Sequence, residues 1–144
     1  MSLLKIARVP PPAVEPGSTV LHAVEVMAEE GVGAVGVMEG GEIRGIFTER
    51  DVMLRVVLKS RRPQDTKVSE VMTSPVETIS EETTAEAALN QMLDRHLRHL
   101  PIVGENGKLL GMLSIRNVLE HMVEDLSHEL HSLDQYLLND GPGG

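Results

Sequence analysis

A seven-residue phrase occurs twice in this chain of 144 residues and constrains its fold more than any other feature. The first copy, Gly45–Asp51, reads Gly-Ile-Phe-Thr-Glu-Arg-Asp, and 66 positions later Gly111–Asn117 reads Gly-Met-Leu-Ser-Ile-Arg-Asn. Each copy places two apolar residues after a glycine, then a hydroxyl side chain, and three residues later an Asp or Asn. A phrase that recurs at a fixed distance predicts an internal duplication.

The match extends along the chain on both sides of the phrase. At a shift of 65 the matching pairs are Pro10 and Pro75, Val14 and Ile79, Thr19 and Thr84, Ala23 and Ala88, Met27 and Met92, and Val37 and Ile102. One extra residue in the turn that contains Gly107 moves the shift to 66. Loops tolerate such insertions, so the difference fits two copies of one fold.

The duplication divides the chain into segments. We predict repeat 1 at residues 3–58, a polar, basic linker at 59–67, repeat 2 at 68–123, a helical extension at 124–138 and a disordered tail at 139–144. In repeat 1, Ser18 or Thr19 is predicted to cap a helix that ends near Gly31. Strands 33–38 and 42–47 follow around a Gly40-Gly41 turn, and a second helix runs from Thr48 to about residue 58.

Repeat 2 shows the same order of elements. We predict a helix over 83–96 with Thr83 and Glu86 as a capping box, strands 100–103 and 108–113 around Asn106-Gly107, and a second helix from Ser114 or Asn117. Short extended segments at 12–14 and 76–79 precede the first helices. The fold class is therefore α/β (α+β). Two β-α-β-β-α repeats pack their sheets together as a pseudo-twofold sandwich with paired clefts.

Composition excludes several function classes. The formal charge of −9 repels a phosphate backbone, and the two aromatic residues, Phe47 and Tyr136, offer little for stacking bases, so we expect no nucleic-acid partner. The chain has no cysteine, which removes disulfides and thiolate chemistry. We find no signal-peptide pattern and no run of about 18 apolar residues, and we expect a soluble, cytoplasmic protein without a membrane partner.

The last helix carries a long apolar stripe. Its members recur at intervals of three and four: Leu119, Met122, Leu126, Leu130, Leu133 and Leu137. Such a stripe packs either on its own domain or against a second copy of the chain. We expect a homodimer, because the stripe outruns what one small repeat can cover.

The repeated phrase itself has two interpretations. A hydroxyl at a helix start with an acid three residues later is a plain capping box, which stabilises by only about 1 kcal/mol and needs no ligand. The second interpretation is a binding site, because the phrase recurs at the same structural point and both copies carry an arginine, Arg50 and Arg116, just before the last residue. A carboxylate such as Asp51 can accept hydrogen bonds from a ribose diol, and the amides at the helix start beside Thr48 suit a phosphate or sugar oxygen.

These residues resemble a known family, the cystathionine-beta-synthase (CBS) domain. The resemblance rests on the Gly-apolar-apolar-Thr-x-x-Asp phrase, on the Val-Ser-Glu-Val-Met-Thr run at 68–73 and on Arg-His-Leu-Pro-Ile-Val at 98–103 before an Asn-Gly turn. It covers both repeats. Paired CBS domains usually form a disc-like module that binds adenosine compounds in its clefts and regulates another protein.

The resemblance implies two unequal pockets. Pocket one would combine Thr48 and Asp51 with Arg98, His99 and Arg116. Pocket two would combine Ser114 and Asn117 with Arg50, but Gly33 and Ala34 stand where Arg98 and His99 would match. Because Asn117 lacks the carboxylate charge, we expect pocket two to be weak, empty or altered.

We therefore expect a regulatory, signal-transduction module that binds AMP, ADP or ATP without any required cofactor, and that acts on a separate, unidentified protein. NAD and S-adenosylmethionine share the ribose and stay open as ligands. The alternative is an oligomerisation or adaptor protein without a functional pocket. An enzyme or a metal protein is the least favoured class: no nucleophile signature is present, and the pairs His96/His99 and His128/His131 lack a third ligand, so we expect no catalytic residues and no metal site.

Overall fold

The computed structural model describes residues 1–139. Of the predicted tail at 139–144, Asn139 is the last residue of a helix, and residues 140–144 lie outside the described part. Among the described helices, none combines the length and the apolar character that a membrane crossing requires.

Repeat 1 forms a three-stranded sheet that packs against helices. Its strands are β1 (Ala13–Val14), β2 (Ala34–Glu39) and β3 (Glu42–Thr48), in that order, with β1 parallel and β3 antiparallel to β2. Helix α1 (Val20–Glu30) begins at Thr19, whose side chain accepts a hydrogen bond from the His22 amide. It ends at Gly31, which adopts the left-handed conformation (φ 65°) that glycine tolerates best.

The second helix of repeat 1 differs from the regular helix that the sequence predicts. Thr48 caps it as expected, but only Glu49–Asp51 (α2) is α-helical, and Val52–Val57 continues as a π-helix with one extra residue per hydrogen-bonded turn. The wide turn begins directly after Asp51. Such turns are frequent at functional sites in other proteins.

Repeat 2 repeats the arrangement after a short helix, α3 (Val68–Val71). Helix α4 (Ala85–Arg95) leads to the hairpin of β4 (His99–Val103) and β5 (Leu109–Ser114), and Ile79 pairs with Ile102 where β1 would lie. Helix α5 (Ile115–Asn139) then runs for 25 residues. The predicted capping box of Thr83 and Glu86 is wrong: Thr84 caps α4 by accepting from the Ala87 amide at 3.1 Å.

The two repeats exchange their first residues. We call residues 3–9 and 68–74 the lead-in segments. In the second of them, Thr73 forms a two-way backbone pair with Ile46 of repeat 1 (2.8 and 3.0 Å), and in the first, Arg8 forms the equivalent pair with Met112 of repeat 2 (2.9 and 3.1 Å). Each lead-in segment therefore belongs in space to the opposite repeat.

The core follows this exchange. One cluster contains the buried residues of repeat 1 around Phe47 together with Val68 and Val71 from the second lead-in segment. The other contains the buried residues of repeat 2 together with Leu3 from the first. A third, small cluster of Ala34, Ile46 and Met112 lies between the sheets. This confirms the predicted fold class, a pseudo-twofold sandwich with an extended C-terminal helix.

The glycine that opens each repeated phrase makes the exchange possible. A Cβ atom on Gly45 would lie 2.8 Å from the Thr73 carbonyl oxygen and 2.7 Å from the Met72 sulfur. A Cβ atom on Gly111 would lie 2.9 Å from a Leu4 methyl and 3.3 Å from the Arg8 carbonyl oxygen. In both repeats the opposite lead-in segment occupies the space that a side chain would need.

Gly45→Ala should therefore destabilise the protein by about 1–3 kcal/mol, because the new methyl group forces apart the backbone pair between Ile46 and Thr73. Urea unfolding measures the change in the free energy of unfolding. Gly17→Ala is the matched control, since nothing lies within 4 Å of a Cβ atom there. Equal stability of the two variants would contradict the role assigned to Gly45.

Candidate functional site

Asp51 is the last residue of the short helix α2, and its side chain is 9% exposed. Its Oδ2 atom accepts from the Thr48 amide at 3.0 Å and from the Thr48 hydroxyl at 3.3 Å, while the Asp51 amide donates to that hydroxyl at 3.3 Å. The phrase in repeat 1 is thus a complete capping box. A cap does not exclude a binding site, because it occupies only one of the two carboxylate oxygens.

The other oxygen, Oδ1, faces the second lead-in segment. The Thr73 hydroxyl donates to it at 3.0 Å, and the Arg55 Nε atom lies 3.6 Å away. The same guanidinium donates through Nη1 to the Met72 carbonyl at 2.8 Å and the Val71 carbonyl at 3.4 Å. Sequence reasoning missed both Thr73 and Arg55. The spacing of four residues from Asp51 to Arg55 was the available signal, since i and i+4 share a helix face.

The corresponding group in repeat 2 is built from different residues. The Ser114 amide donates to Asn117 Oδ1 at 3.0 Å and the Asn117 amide donates to the Ser114 hydroxyl at 3.0 Å, so the cap is kept without the charge. Arg8 takes the position of Thr73, and its side chain pairs with Glu30 at 3.4 Å. His121 takes the position of Arg55 and lies 3.2 Å from Asp125.

His99, the first residue of β4, crosses to repeat 1. A Cβ atom on Gly33 would lie 3.2 Å from the His99 ring and 3.0 Å from a Glu49 carboxylate oxygen, so both side chains converge on this glycine. The Glu49 amide also donates to the Gly33 carbonyl at 3.1 Å. The structure therefore brings His99 to the helix start that carries Thr48 and Asp51, and it adds Glu49, which sequence reasoning missed.

The charges around His99 oppose one another. Burial lowers the pKa of His99 below its ordinary value of 6.5, the nearby Glu49 carboxylate raises it, and the adjacent Arg98 lowers it further. The net effect is a lowered pKa, so the neutral ring is favoured near pH 7. At that pH His99 can donate or accept one hydrogen bond at the edge of the site without adding a full positive charge.

The three predicted arginines all lie at the surface. Arg116 donates through Nε to Glu120 at 2.7 Å, and this hydrogen bond raises the pKa of Arg116. No ion pair among residues 1–139 involves Arg50 or Arg98. No contact of the structure joins Arg116 to Asp51, so their association in one pocket stays a prediction.

An open cleft of about 420 Å³ lies beside the site, between α1 and the start of α2. It is lined by Val24, Met27, Ala28, Gly31, Val32, Gly33, Glu49 and Val52. None of the predicted site residues lines it, because Asp51 points instead toward Thr73. We therefore do not take this cleft as the ribose site. Within residues 1–139, no group of three or more histidine, aspartate or glutamate side chains is placed to hold a metal ion.

A family model supports the resemblance that the motifs suggest. The model of the CBS domain matches residues 5–58 and again residues 68–124, which together make up more than three quarters of the chain. The chain belongs to the CBS domain family. Its two matched segments make it a tandem CBS pair.

Curated relatives and solved structures agree with this assignment. The mitochondrial CBS domain-containing protein CBSX3 of Arabidopsis thaliana is 35% identical over 83% of this chain and 60% of its own length. The chain spans 60 to 66% of the length of three such relatives. Among solved structures, a putative signal-transduction protein with CBS domains from Burkholderia ambifaria is 31% identical with a TM-score of 0.78, covering 87% of this chain and 96% of that one.

A second solved structure holds a ligand. The CBS domain protein PAE2072 of Pyrobaculum aerophilum, complexed with AMP, superimposes with a TM-score of 0.73 over 81% of this chain and 89% of its own. At 23% identity the likeness shows a shared fold alone.

The lowered pKa of His99 predicts a pH dependence of stability. Its folded-state pKa lies below 6.5, so between the two values the unfolded chain binds the proton and the folded chain does not. The free energy of unfolding should therefore rise with pH through this window and level off above about 6.5. Urea unfolding of wild type and His99→Gln between pH 5 and 8 should show a difference that grows with pH and then becomes flat. A difference that stays constant would contradict the burial of His99.

Proposed function

We propose that this CBS pair is a regulatory module that binds an adenosine-containing ligand at Asp51, with AMP, ADP or ATP as the preferred class. The carrying observation is the carboxylate itself, held buried at the junction of the two repeats by donors from both. The full set of hydrogen bonds to Asp51 forms only when the two repeats are docked, because Thr48 and Thr73 come from different repeats. A ligand bound there contacts both repeats at once.

The hydrogen-bonding capacity of Asp51 supports a sugar hydroxyl as its partner. An ionised carboxylate has about four acceptor positions. Thr48 takes two at Oδ2 and Thr73 one at Oδ1, while Arg55 at 3.6 Å is too distant for a hydrogen bond. One position at Oδ1 therefore accepts a ribose hydroxyl, and a second hydroxyl needs the Thr73 hydroxyl to turn aside.

The surrounding cations suit the phosphate end of such a ligand. Arg98 is the residue immediately before β4. Its neighbour His99 lies close to Glu49, at the start of α2. A protein with a formal charge of −9 needs such local cations to hold an anion. We include Arg116 in this site, and Arg50 in the second site with Ser114 and Asn117, as surface cations that a bound phosphate would recruit.

The two sites are unequal in this proposal. Asn117 makes the same kind of cap as Asp51 but offers a neutral acceptor, and a neutral hydrogen bond contributes about 1 to 1.5 kcal/mol less than a charged one. That loss corresponds to roughly tenfold weaker binding. The complex of PAE2072 with AMP supports a nucleotide in this fold, and Asp51 and its neighbours support it in this chain.

Isothermal titration of AMP, ADP and ATP tests the assignment. Asp51→Asn should weaken binding about tenfold while preserving the fold, because Asn117 shows that an amide can complete the same cap. Asn117→Ala is the matched change in repeat 2 and should leave the tighter binding event unchanged. Loss of binding in Asn117→Ala alone would reverse the assigned asymmetry.

We also propose that the protein is a homodimer. Two equivalent helix faces are exposed and apolar: Met53 and Val57 on the π-helix of repeat 1, and Leu119 and Val123 on α5. Met122, which the sequence places in the apolar stripe, packs instead against the core of repeat 2, and Val123 takes its place on the exposed face. Beyond Val123, the stripe continues with Leu126, Leu130, Leu133 and Leu137, each at least half exposed. The intervals of four and three residues from Leu119 through Val123 to Leu137 form a heptad pattern, which packs against a like helix. Paired helix faces of this kind are buried by a second copy.

The dimer is tested by placing a charge in the stripe. Leu130→Glu should convert the dimer to a monomer, because an unpaired carboxylate cannot be buried between apolar helices. Light scattering after size exclusion gives the mass in solution. His128→Glu, which puts the same charge on the opposite side of the helix, should remain dimeric. A wild-type monomer would contradict the proposal.

The second candidate function is an oligomerisation or adaptor protein without a ligand. The same exposed helix faces favour it, since they suit assembly whether or not a nucleotide binds. A thermal-shift panel of AMP, ADP, ATP, NAD and S-adenosylmethionine separates the candidates: stabilisation by any of them supports the regulatory module. We keep a regulated partner protein and a cytoplasmic location as parts of the proposal.

A further inference from the structure

We propose that Arg55 is a positioning residue of the Asp51 site, which holds the carboxylate in the orientation that reads the ribose hydroxyls. This inference rests on the proposed function. It concerns a side chain outside the repeated phrase, whose position in repeat 2 is taken by a histidine.

The Arg55 guanidinium bridges the end of α3 and the Asp51 carboxylate. Its Nη1 atom is fixed by the carbonyl oxygens of Met72 and Val71 at 2.8 and 3.4 Å, where helix α3 ends. Hydrogen bonds from a charged donor to such carbonyl oxygens are stronger than those between neutral groups. The same guanidinium then places Nε 3.6 Å from Oδ1 of Asp51. The guanidinium is thus held by the end of α3 and directed at the Asp51 carboxylate.

This arrangement orients Oδ1 without occupying its remaining acceptor position. At 3.6 Å the attraction is electrostatic and leaves the last acceptor position of Oδ1 available to a ligand. The Oδ2 side is already tied to Thr48, so a cation on the Oδ1 side fixes the plane of the carboxylate. Without Arg55, only the Thr73 hydroxyl would hold that side. A correctly oriented acceptor matters most for a ligand that donates two directional bonds.

In repeat 2, no cation among the described residues bridges the equivalent segments. His121 occupies the equivalent position but is paired along its own helix with Asp125, at 3.2 Å. Asn117 therefore lacks both the negative charge of Asp51 and a neighbouring cation that would orient its side chain. The difference between the two sites accordingly extends beyond the exchange of Asp51 for Asn117.

A purely structural role is the competing explanation: Arg55 would only clamp the second lead-in segment onto repeat 1. The two roles differ in how removal of Arg55 affects ligands with and without ribose hydroxyls. A loosened fold weakens every nucleotide alike. A misplaced carboxylate weakens only the ligand whose hydroxyls it reads.

The test compares AMP with 2′,3′-dideoxy-AMP by calorimetric titration of the full chain. Wild type should prefer AMP by about tenfold or more, as expected for charge-assisted bonds to the diol. In Arg55→Met the preference should fall below about threefold, mainly through weaker AMP binding. Arg55→Lys, which keeps the charge but loses the fork that reaches both the carbonyl oxygens and Oδ1, should show an intermediate preference. Arg61→Met is the matched control, because Arg61 ties the linker to Glu70 of α3 at 3.0 Å without contacting Asp51.

Each outcome decides. A reduced preference in Arg55→Met with an unchanged preference in Arg61→Met supports the positioning role. Equal weakening of both nucleotides in Arg55→Met makes Arg55 a structural clamp and overturns the inference while the proposed function stands. If wild type binds both nucleotides equally, Asp51 does not read the diol, and the inference falls with that part of the proposal. If wild type binds neither, the proposed function itself fails.

Discussion

The backbone pair between Ile46 and Thr73, with its counterpart between Met112 and Arg8, holds the two repeats together. It carries each lead-in segment onto the opposite repeat. There Leu3 and Val68 are completely buried in cores that are otherwise built from the other repeat. Neither repeat completes its core alone. The glycine that opens each repeated phrase is required because a side chain there would occupy the space of the exchanged backbone.

The same contact assembles the candidate site. Because Thr73 pairs with Ile46, its hydroxyl reaches Asp51, and the end of α3 comes within reach of Arg55. His99 crosses in the other direction to Glu49. A ligand at Asp51 would therefore interact with groups that depend on the docking of both repeats. If its affinity differs between two arrangements of the pair, its binding shifts the population between them, which is the physical basis of a regulatory module.

The sequence predicts most helices and strands, but it does not predict that each lead-in segment packs on the opposite repeat. The shift of 65 matches Thr84 with Thr19, and both cap helices, whereas the local capping-box pattern pointed one residue too early, to Thr83. The exchange is invisible because apolar residues such as Leu3 and Val68 look the same whichever core they enter. Thr48 and Asp51 were found because their side chains bond locally. The closest partners of Arg55 are carbonyl oxygens, which carry no sequence signature, so its spacing of four residues from Asp51 was the one local signal and was overlooked.

We propose that the buried carboxylate of Asp51 in repeat 1 binds a ribose and that the amide of Asn117 in repeat 2 binds one far less well. A crystal structure of the protein with AMP at a concentration near its dissociation constant tests this directly. We expect nucleotide density with a ribose hydroxyl within hydrogen-bond distance of Asp51 Oδ1, and weaker or no density at Asn117. Full occupancy at Asn117 with no nucleotide at Asp51 would contradict it.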